Sequence, residues 1–178
     1  PTTITNSAGH TLEMMWSADG RNLLSKIDPA GNTTTYTYDS LNNLTLTTDP
    51  LGNVTTYTYA GKLLTSKTGP DGKTTTYTYT AQGWLETETD PYGRVTTYTY
   101  DAHGQKTSVT DWRGQTTTYV YDDLGRLIET IDPRGRISRS EYDPAGQLLR
   151  SIVNYDPTRP QNDQNRYNII TTYQYDVR

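Results

Sequence analysis

The sequence predicts an all-β protein, a single-layer, twisted and spiralling antiparallel sheet of tandem β-hairpins. Three observations carry this expectation. Tyr pairs two residues apart recur along the chain, as Tyr36/Tyr38, Tyr57/Tyr59, Tyr77/Tyr79, Tyr98/Tyr100 and Tyr119/Tyr121. A turn signal, Asp-Pro-x-Gly, interleaves with them at Asp28, Asp49, Asp90 and Asp132. The composition holds 35 Thr and 16 Tyr but no Phe, with hydrophobic residues at only 31%. Tyr and Thr fit a pleated, half-buried surface, and a hydrophobic share this low leaves too little apolar material for a second packed layer.

The rest of the composition excludes several classes. Charged residues are 20% and the net charge is −4, with both signs interspersed. A nucleic-acid partner would call for a basic stripe, and none is present. Cys is absent, which removes disulfides, thiol nucleophiles and Cys-based zinc sites. No apolar run is long enough to span a membrane, and no signal peptide is present. The chain opens at Pro1-Thr2-Thr3-Ile4, already in strand-like sequence, as an excised fragment would.

Residues 1–178 read as about eight hairpin units, mostly 21 residues each. Met14/Trp16 hold the Tyr places at the start, Ser140/Tyr142 continue the row, and Tyr173/Tyr175 close it. Asp111-Trp112-Arg113-Gly114, Gly69-Pro70-Asp71-Gly72 and Asn6-Ser7-Ala8-Gly9 are degenerate copies of the turn. Within a unit, Thr33–Tyr38 is one strand and Leu44–Thr48 the return. Two Tyr at i and i+2 share a face. A type I turn followed by a left-handed residue suits Asp143-Pro144-Ala145-Gly146. That turn places Tyr142 opposite Leu148, Tyr121 opposite Leu127 and Tyr38 opposite Leu44. Asn42 stands at the left-handed position, which Asn tolerates.

Two irregular units obey the same register. At Tyr59-Ala60-Gly61-Lys62-Leu63-Leu64 a two-residue type II′ turn restores Tyr59 opposite Leu64. A four-residue loop, Ala18 to Arg21, restores Trp16 opposite Leu23. An odd period adds a constraint. Two identical three-residue turns would give an even repeat, and the Tyr rows would alternate faces. The expectation is therefore two unlike turns: a four-residue loop at Asp-Pro-x-Gly, Thr48 opposite Asn53, and Leu44 facing both Tyr38 and Tyr57. One segment, 154–164, reads as a long inserted loop, with the array resuming at Asn165–Asn168.

The run Tyr119-Val120-Tyr121-Asp122-Asp123-Leu124-Gly125-Arg126-Leu127, followed by Asp132-Pro133-Arg134-Gly135, resembles the Rhs or YD repeat. That family includes bacterial Rhs polymorphic toxins, the C component of insecticidal toxin complexes and the teneurin shell. The resemblance implies a sheet that forms part of a hollow shell, which in bacterial members encloses a C-terminal toxin. It also implies a secreted or cell-surface location. The core-closing region with its self-cleavage aspartates has no counterpart in the sequence, and Asp156-Pro157 does not match it.

The chemistry read from the residues is sparse. Asp28, Asp49, Asp90, Asp111 and Asp132 are expected to start turns, their carboxylates accepting backbone amides. His10 and His103 have no partner cluster. Asp122 and Arg126 are expected to pair at a hairpin end. No catalytic, cofactor or metal residues are assigned. The candidate ligand-facing surface is the aromatic row: Trp16, Tyr36, Tyr38, Tyr57, Tyr59, Tyr77, Tyr79, Tyr98, Tyr100, Tyr119, Tyr121, Tyr142, Tyr173 and Tyr175. Asn32, Asn43 and Asn53 head N-glycosylation patterns that a Thr-rich chain produces by coincidence. The expected role is a non-enzymatic shell wall, with neighbouring repeats, an enclosed toxin polypeptide or glycans as partners. A carbohydrate-binding adhesive array and a filament joined through open sheet edges are the alternatives.

Overall fold

Alternating Thr and Tyr gives the chain a period of two, and the computed structural model is built of strands. It describes residues 1–5, 7–156, 158 and 167–175. Asn6, Pro157, residues 159–164 of the expected insertion and the resumption at Asn165 lie outside the described residues. Sixteen strands, ordered as in the chain, account for the regular structure, with no helix among the described residues.

Two compact units divide them. The first, Pro1–Arg94, holds β1 (Thr2–Thr5), β2 (Thr11–Trp16), β3 (Leu23–Ile27), β4 (Thr33–Tyr38) and β5 (Leu44–Thr48). It continues through β6 (Val54–Ala60), β7 (Leu63–Thr68), β8 (Thr74–Tyr79) and β9 (Leu85–Thr89). The second, Val95–Arg178, holds β10 (Val95–Tyr100), β11 (Lys106–Thr110), β12 (Thr116–Tyr121) and β13 (Leu127–Ile131). It ends with β14 (Ile137–Tyr142), β15 (Leu148–Tyr155) and β16 (Ile169–Thr172). β15 runs through Tyr155, which pairs with Ile137, so Asn154 and Tyr155 belong to a strand and not to the insertion. Each unit is one layer thick in its burial. Ile152, at 5% exposure, is the one buried hydrophobic residue among those described.

The expected cross-strand pairs form: Trp16↔Leu23, Tyr38↔Leu44, Tyr59↔Leu64, Tyr121↔Leu127 and Tyr142↔Leu148. Tyr79 faces Leu85, while Tyr100 faces Lys106, whose aliphatic stem takes the place of Leu. Gly61 has φ 63° at the first turn position, as a type II′ hairpin requires, and Asn42 has φ 62°.

The unlike-turn expectation is wrong. Asp49 N donates to Asn53 O at 3.0 Å and Gly52 N to Asp49 O at 3.0 Å, closing a three-residue turn. Thr48 therefore faces Val54, not Asn53. The Asp39 turn has the same two bonds, from Asp39 N to Asn43 O and from Asn42 N to Asp39 O, each 3.0 Å. Pairing between β5 and β6 stops at Leu46↔Thr56, so Leu44 has no rung to Tyr57.

The odd residue is a β-bulge in the return strand. Thr37 faces Leu46 and Tyr38 faces Leu44, leaving Thr45 as the extra residue. Bulges fall at the same place at Leu24, Thr65 and Glu86, and in the second unit at Thr107, Ile128 and Leu149. A bulge adds one residue to one strand, which restores the parity that the like turns would lose. Pairs then carry the Tyr face from strand to strand: Tyr36↔Thr47, Thr47↔Thr55, and Thr55 shares its face with Tyr57 and Tyr59.

At Gly52 the left-handed turn position is set by backbone conformation alone. A Cβ at Gly52, φ 82°, would meet nothing within 4 Å. Gly52→Ala is expected to destabilise the chain by about 1–2 kcal/mol, whereas Asn42→Gly leaves it unchanged or slightly stabilised. Urea-denaturation midpoints of the two variants check this; an unchanged midpoint for Gly52→Ala contradicts it.

Candidate functional site

The aromatic row lies on one face in each unit. In the first, Trp16, Tyr36, Tyr38, Tyr57, Tyr59, Tyr77 and Tyr79 connect through Met14↔Lys26↔Thr34, Tyr36↔Thr47↔Thr55 and Tyr57↔Lys67↔Thr75. In the second, Tyr98, Tyr100, Tyr119, Tyr121 and Tyr142 connect through Tyr98↔Val109↔Thr117 and Tyr119↔Thr130↔Ser138. The Tyr of these rows are half-buried, and Trp16 is 39% exposed. Tyr173 and Tyr175 follow the end of β16 and are more open, at 38% and 47%.

The second Tyr of the pair has a bonding role that periodicity does not show. Tyr38 Oη donates to Leu23 O at 3.0 Å, Tyr79 to Leu64 O at 2.8 Å, Tyr121 to Lys106 O at 2.9 Å and Tyr142 to Leu127 O at 3.0 Å. Each bond reaches 15 residues back, to the residue just before the bulge of the preceding hairpin. Tyr175 makes the corresponding bond to Leu148 O at 3.1 Å. Burial pushes the phenols of Tyr38, Tyr59, Tyr79 and Tyr121 above the usual value. The hydroxyls of Tyr38, Tyr79, Tyr121, Tyr142 and Tyr175 therefore join one hairpin to the next.

The recurring Asp residues are committed to their own turns. Asp28 Oδ1 accepts Ala30 N at 2.8 Å and Asn32 N at 2.9 Å, and Oδ2 accepts the Asn32 side-chain amide at 2.8 Å. Asp49, Asp90, Asp111 and Asp132 repeat the backbone bonds. Asp122 pairs with Arg126 at 2.7 Å as expected. Arg126 does more than form a rim ion pair: Nη1 donates to Asp143 O at 3.0 Å, and the guanidinium lies 5.0 Å from the Tyr142 ring. Asn43 and Gln105 reach forward in the same way, to Gly61 O at 2.7 Å and Gly125 O at 2.8 Å. The sequence carried a signal for these bridges, because the fifth residue of the turn is repeatedly Asn, Gln or Arg.

The opposite face is a threonine surface with hydroxyl contacts across strands. Thr58 meets Thr65 at 2.9 Å and Ser66 at 2.7 Å, and Thr99 meets Thr107 at 2.8 Å and Ser108 at 2.7 Å. A cleft of about 740 Å³ opens in the second unit between the Asp101 and Asp122 turns, lined by His103, Gln105, Tyr119, Tyr121 and Asp123 among others. The His103 amide belongs to the Asp101 turn, donating at 2.9 Å. Among the described residues no three His, Asp or Glu side chains are grouped to hold a metal ion. Asn32, Asn43 and Asn53 each donate their side-chain amide to the turn Asp, at 2.7 to 2.8 Å.

This unit, a Tyr-bearing strand, an Asp turn and a bulged return, matches the RHS Repeat family six times, at 16–54, 38–61, 57–95, 87–116, 112–137 and 121–154. The chain belongs to the RHS repeat family. Two solved structures share the fold of these RHS repeats. The crystal structure of TcdB2-TccC3 is 18% identical with a TM-score of 0.67, over 93% of this chain and 11% of that chain. The TcdB2-TccC3-Cdc42 complex is 18% identical with a TM-score of 0.65, over 81% and 9%. This chain thus spans about a tenth of the solved chains it matches. No curated protein matches it.

The turn bonds of the RHS repeat make its stability depend on pH in one direction. Asn32 and Asn53 side-chain amides hold Asp28 and Asp49 below the usual carboxylate value of 3.8. The backbone N–H of the fifth residue does so first for Asp39, Asp122 and Asp132. A carboxylate depressed in the folded state contributes stability above its unfolded pKa and loses it as pH falls through the folded value. Thermal midpoints are expected to be insensitive to these groups at neutral pH and to fall below about pH 4. Replacing Asp28, Asp49 and Asp122 together by Asn should flatten that acid limb; an equally steep limb in the triple variant contradicts the assignment.

Proposed function

We propose that this chain is a wall segment of an RHS-type shell, the container of a C-terminal toxin in a secreted or contact-delivered bacterial polymorphic toxin. The observation that carries the reading is where the repeating polar groups go. The hydroxyls of Tyr38, Tyr79, Tyr121 and Tyr142 bond the preceding hairpin, and the turn carboxylates bond their own turns. The part repeats without converging on a reaction centre, as a wall requires and an enzyme does not. The likeness in fold to segments of TcdB2-TccC3 supports a place in a large assembly.

On this reading the chain is non-enzymatic and the aromatic row belongs to the wall rather than to a ligand. Neighbouring repeats of the parent protein continue the array, and an enclosed polypeptide faces one side of it. Electron microscopy of the full-length gene product tests the proposal. A hollow particle whose interior segment resists protease is expected. A filament, or a particle with no protected segment, overturns it.

A further inference from the structure

Hairpins in this array are joined by two kinds of junction. Inside a hairpin, β12 and β13 are paired from Thr118↔Ile131 to Tyr121↔Leu127, up to the turn. Between hairpins, at what is here termed a seam, pairing is shorter: five seams pair over three residues and stop, while β1–β2 and β15–β16 pair over four. β11 and β12 pair at Thr110↔Thr116, Val109↔Thr117 and Ser108↔Thr118, and go no further towards the tyrosines. β13 and β14 do the same at Ile131↔Ile137, Thr130↔Ser138 and Glu129↔Arg139. β3–β4, β5–β6 and β7–β8 repeat the pattern in the first unit.

The bulge is the cause. It falls directly after the last rung, at Thr107 and Ile128, and turns the return strand away from its next neighbour. Beyond it the seam is closed by side chains. In the β11–β12 seam these are Tyr121 Oη to Lys106 O, 2.9 Å, and Gln105 Nε2 to Gly125 O, 2.8 Å. In the β13–β14 seam they are Tyr142 Oη to Leu127 O and Arg126 Nη1 to Asp143 O, both 3.0 Å. The 740 Å³ cleft lies in this half of the β11–β12 seam, with Gln105 and Thr107 on one side and Tyr121 and Gly125 on the other.

We propose that the tyrosine half of the β11–β12 and β13–β14 seams is a latched slit, where adjacent hairpins part locally while the threonine-side rungs stay paired. Tyr121 and Tyr142 are the latches, and Gln105 and Arg126 their clasps. Each slit lets a wall of tandem hairpins open or bend locally without any hairpin unfolding. Its meaning for a container rests on the wall reading, but the slit itself is a property of the seam and is tested without reference to cargo.

Amide hydrogen exchange of the full chain, resolved by NMR, is the test. Tyr121→Phe keeps the ring and removes only the latch. The expected result is graded: exchange at the Ser108/Thr118 rung rises about fivefold, rises less at Thr110/Thr116, and is unchanged within the β12–β13 hairpin. Tyr142→Phe is expected to shift the same gradient to Glu129/Arg139 over Ile131/Ile137. An equal increase at all three rungs shows global destabilisation and overturns the proposal. No increase at either seam overturns it as well. Hollow particles that fail to appear for the full-length product, alongside a graded exchange response, would remove the wall reading and leave the slit.

Discussion

A cross-strand aromatic–leucine pair beside a bulge is the constraint on which this structure depends. Tyr121 faces Leu127, and Ile128 is then extruded from the ladder. Side chains alternate faces along a strand, so a repeat with an odd residue count reverses its pattern unless something absorbs the extra residue. The bulge absorbs it. Without it the Tyr of successive hairpins would fall on opposite faces, and a Tyr hydroxyl could not reach the carbonyl of the preceding hairpin. Face, latch and seam follow from one inserted residue per unit.

The stability of such an array comes from many small terms. Among the described residues almost nothing is fully buried, so no core there supplies the bulk of the hydrophobic driving force. Aromatic pairs and Thr–Thr contacts contribute about 0.2–1 kcal/mol each, and carboxylates such as Asp28, Asp49 and Asp122 each satisfy two backbone amides that would otherwise need water. In a repeat protein these terms sum through nearest neighbours. That explains how units with a two-residue turn at Gly61, a four-residue loop at Ala18–Arg21 and three-residue turns elsewhere coexist. Each has only to deliver the Tyr or Trp to its partner, and Trp16↔Leu23 and Tyr59↔Leu64 are both delivered.

Strand positions and cross-strand partners were legible because they rest on period and on glycine conformation. Tyr-x-Tyr fixes a face, and Gly or Asn four residues after the tyrosine fixes a turn. The bulge was illegible for a physical reason. Its site accepts Thr45, Glu86, Thr107, Ile128 or Leu149, since an extruded residue needs no particular side chain. Parity demanded an odd residue somewhere, and nothing in the residue types said that it lay in the strand and not in the Asp-Pro turn. The latch was hidden for a related reason: a phenol bonding a main-chain carbonyl leaves no covarying partner residue. Lys106 can stand where Leu23, Leu64 and Leu127 stand and still accept the bond from Tyr121.

The same logic separates the two polar systems of the repeat. Bonds from the turn Asp are local, within five residues, and would form in an isolated hairpin. Bonds from the second Tyr and from Asn43, Gln105 or Arg126 span 15 to 20 residues and exist only when hairpins are stacked. A unit therefore closes its own turn with Asp and joins its neighbour with Tyr and the fifth turn residue. Arg126 belongs to both systems, pairing with Asp122 within its turn and with Asp143 O in the next. A surface ion pair in isolation contributes little; here its main effect is to hold the guanidinium where it can bridge to the next hairpin. The Asp122–Arg126 pair is thus part of the joint between repeats.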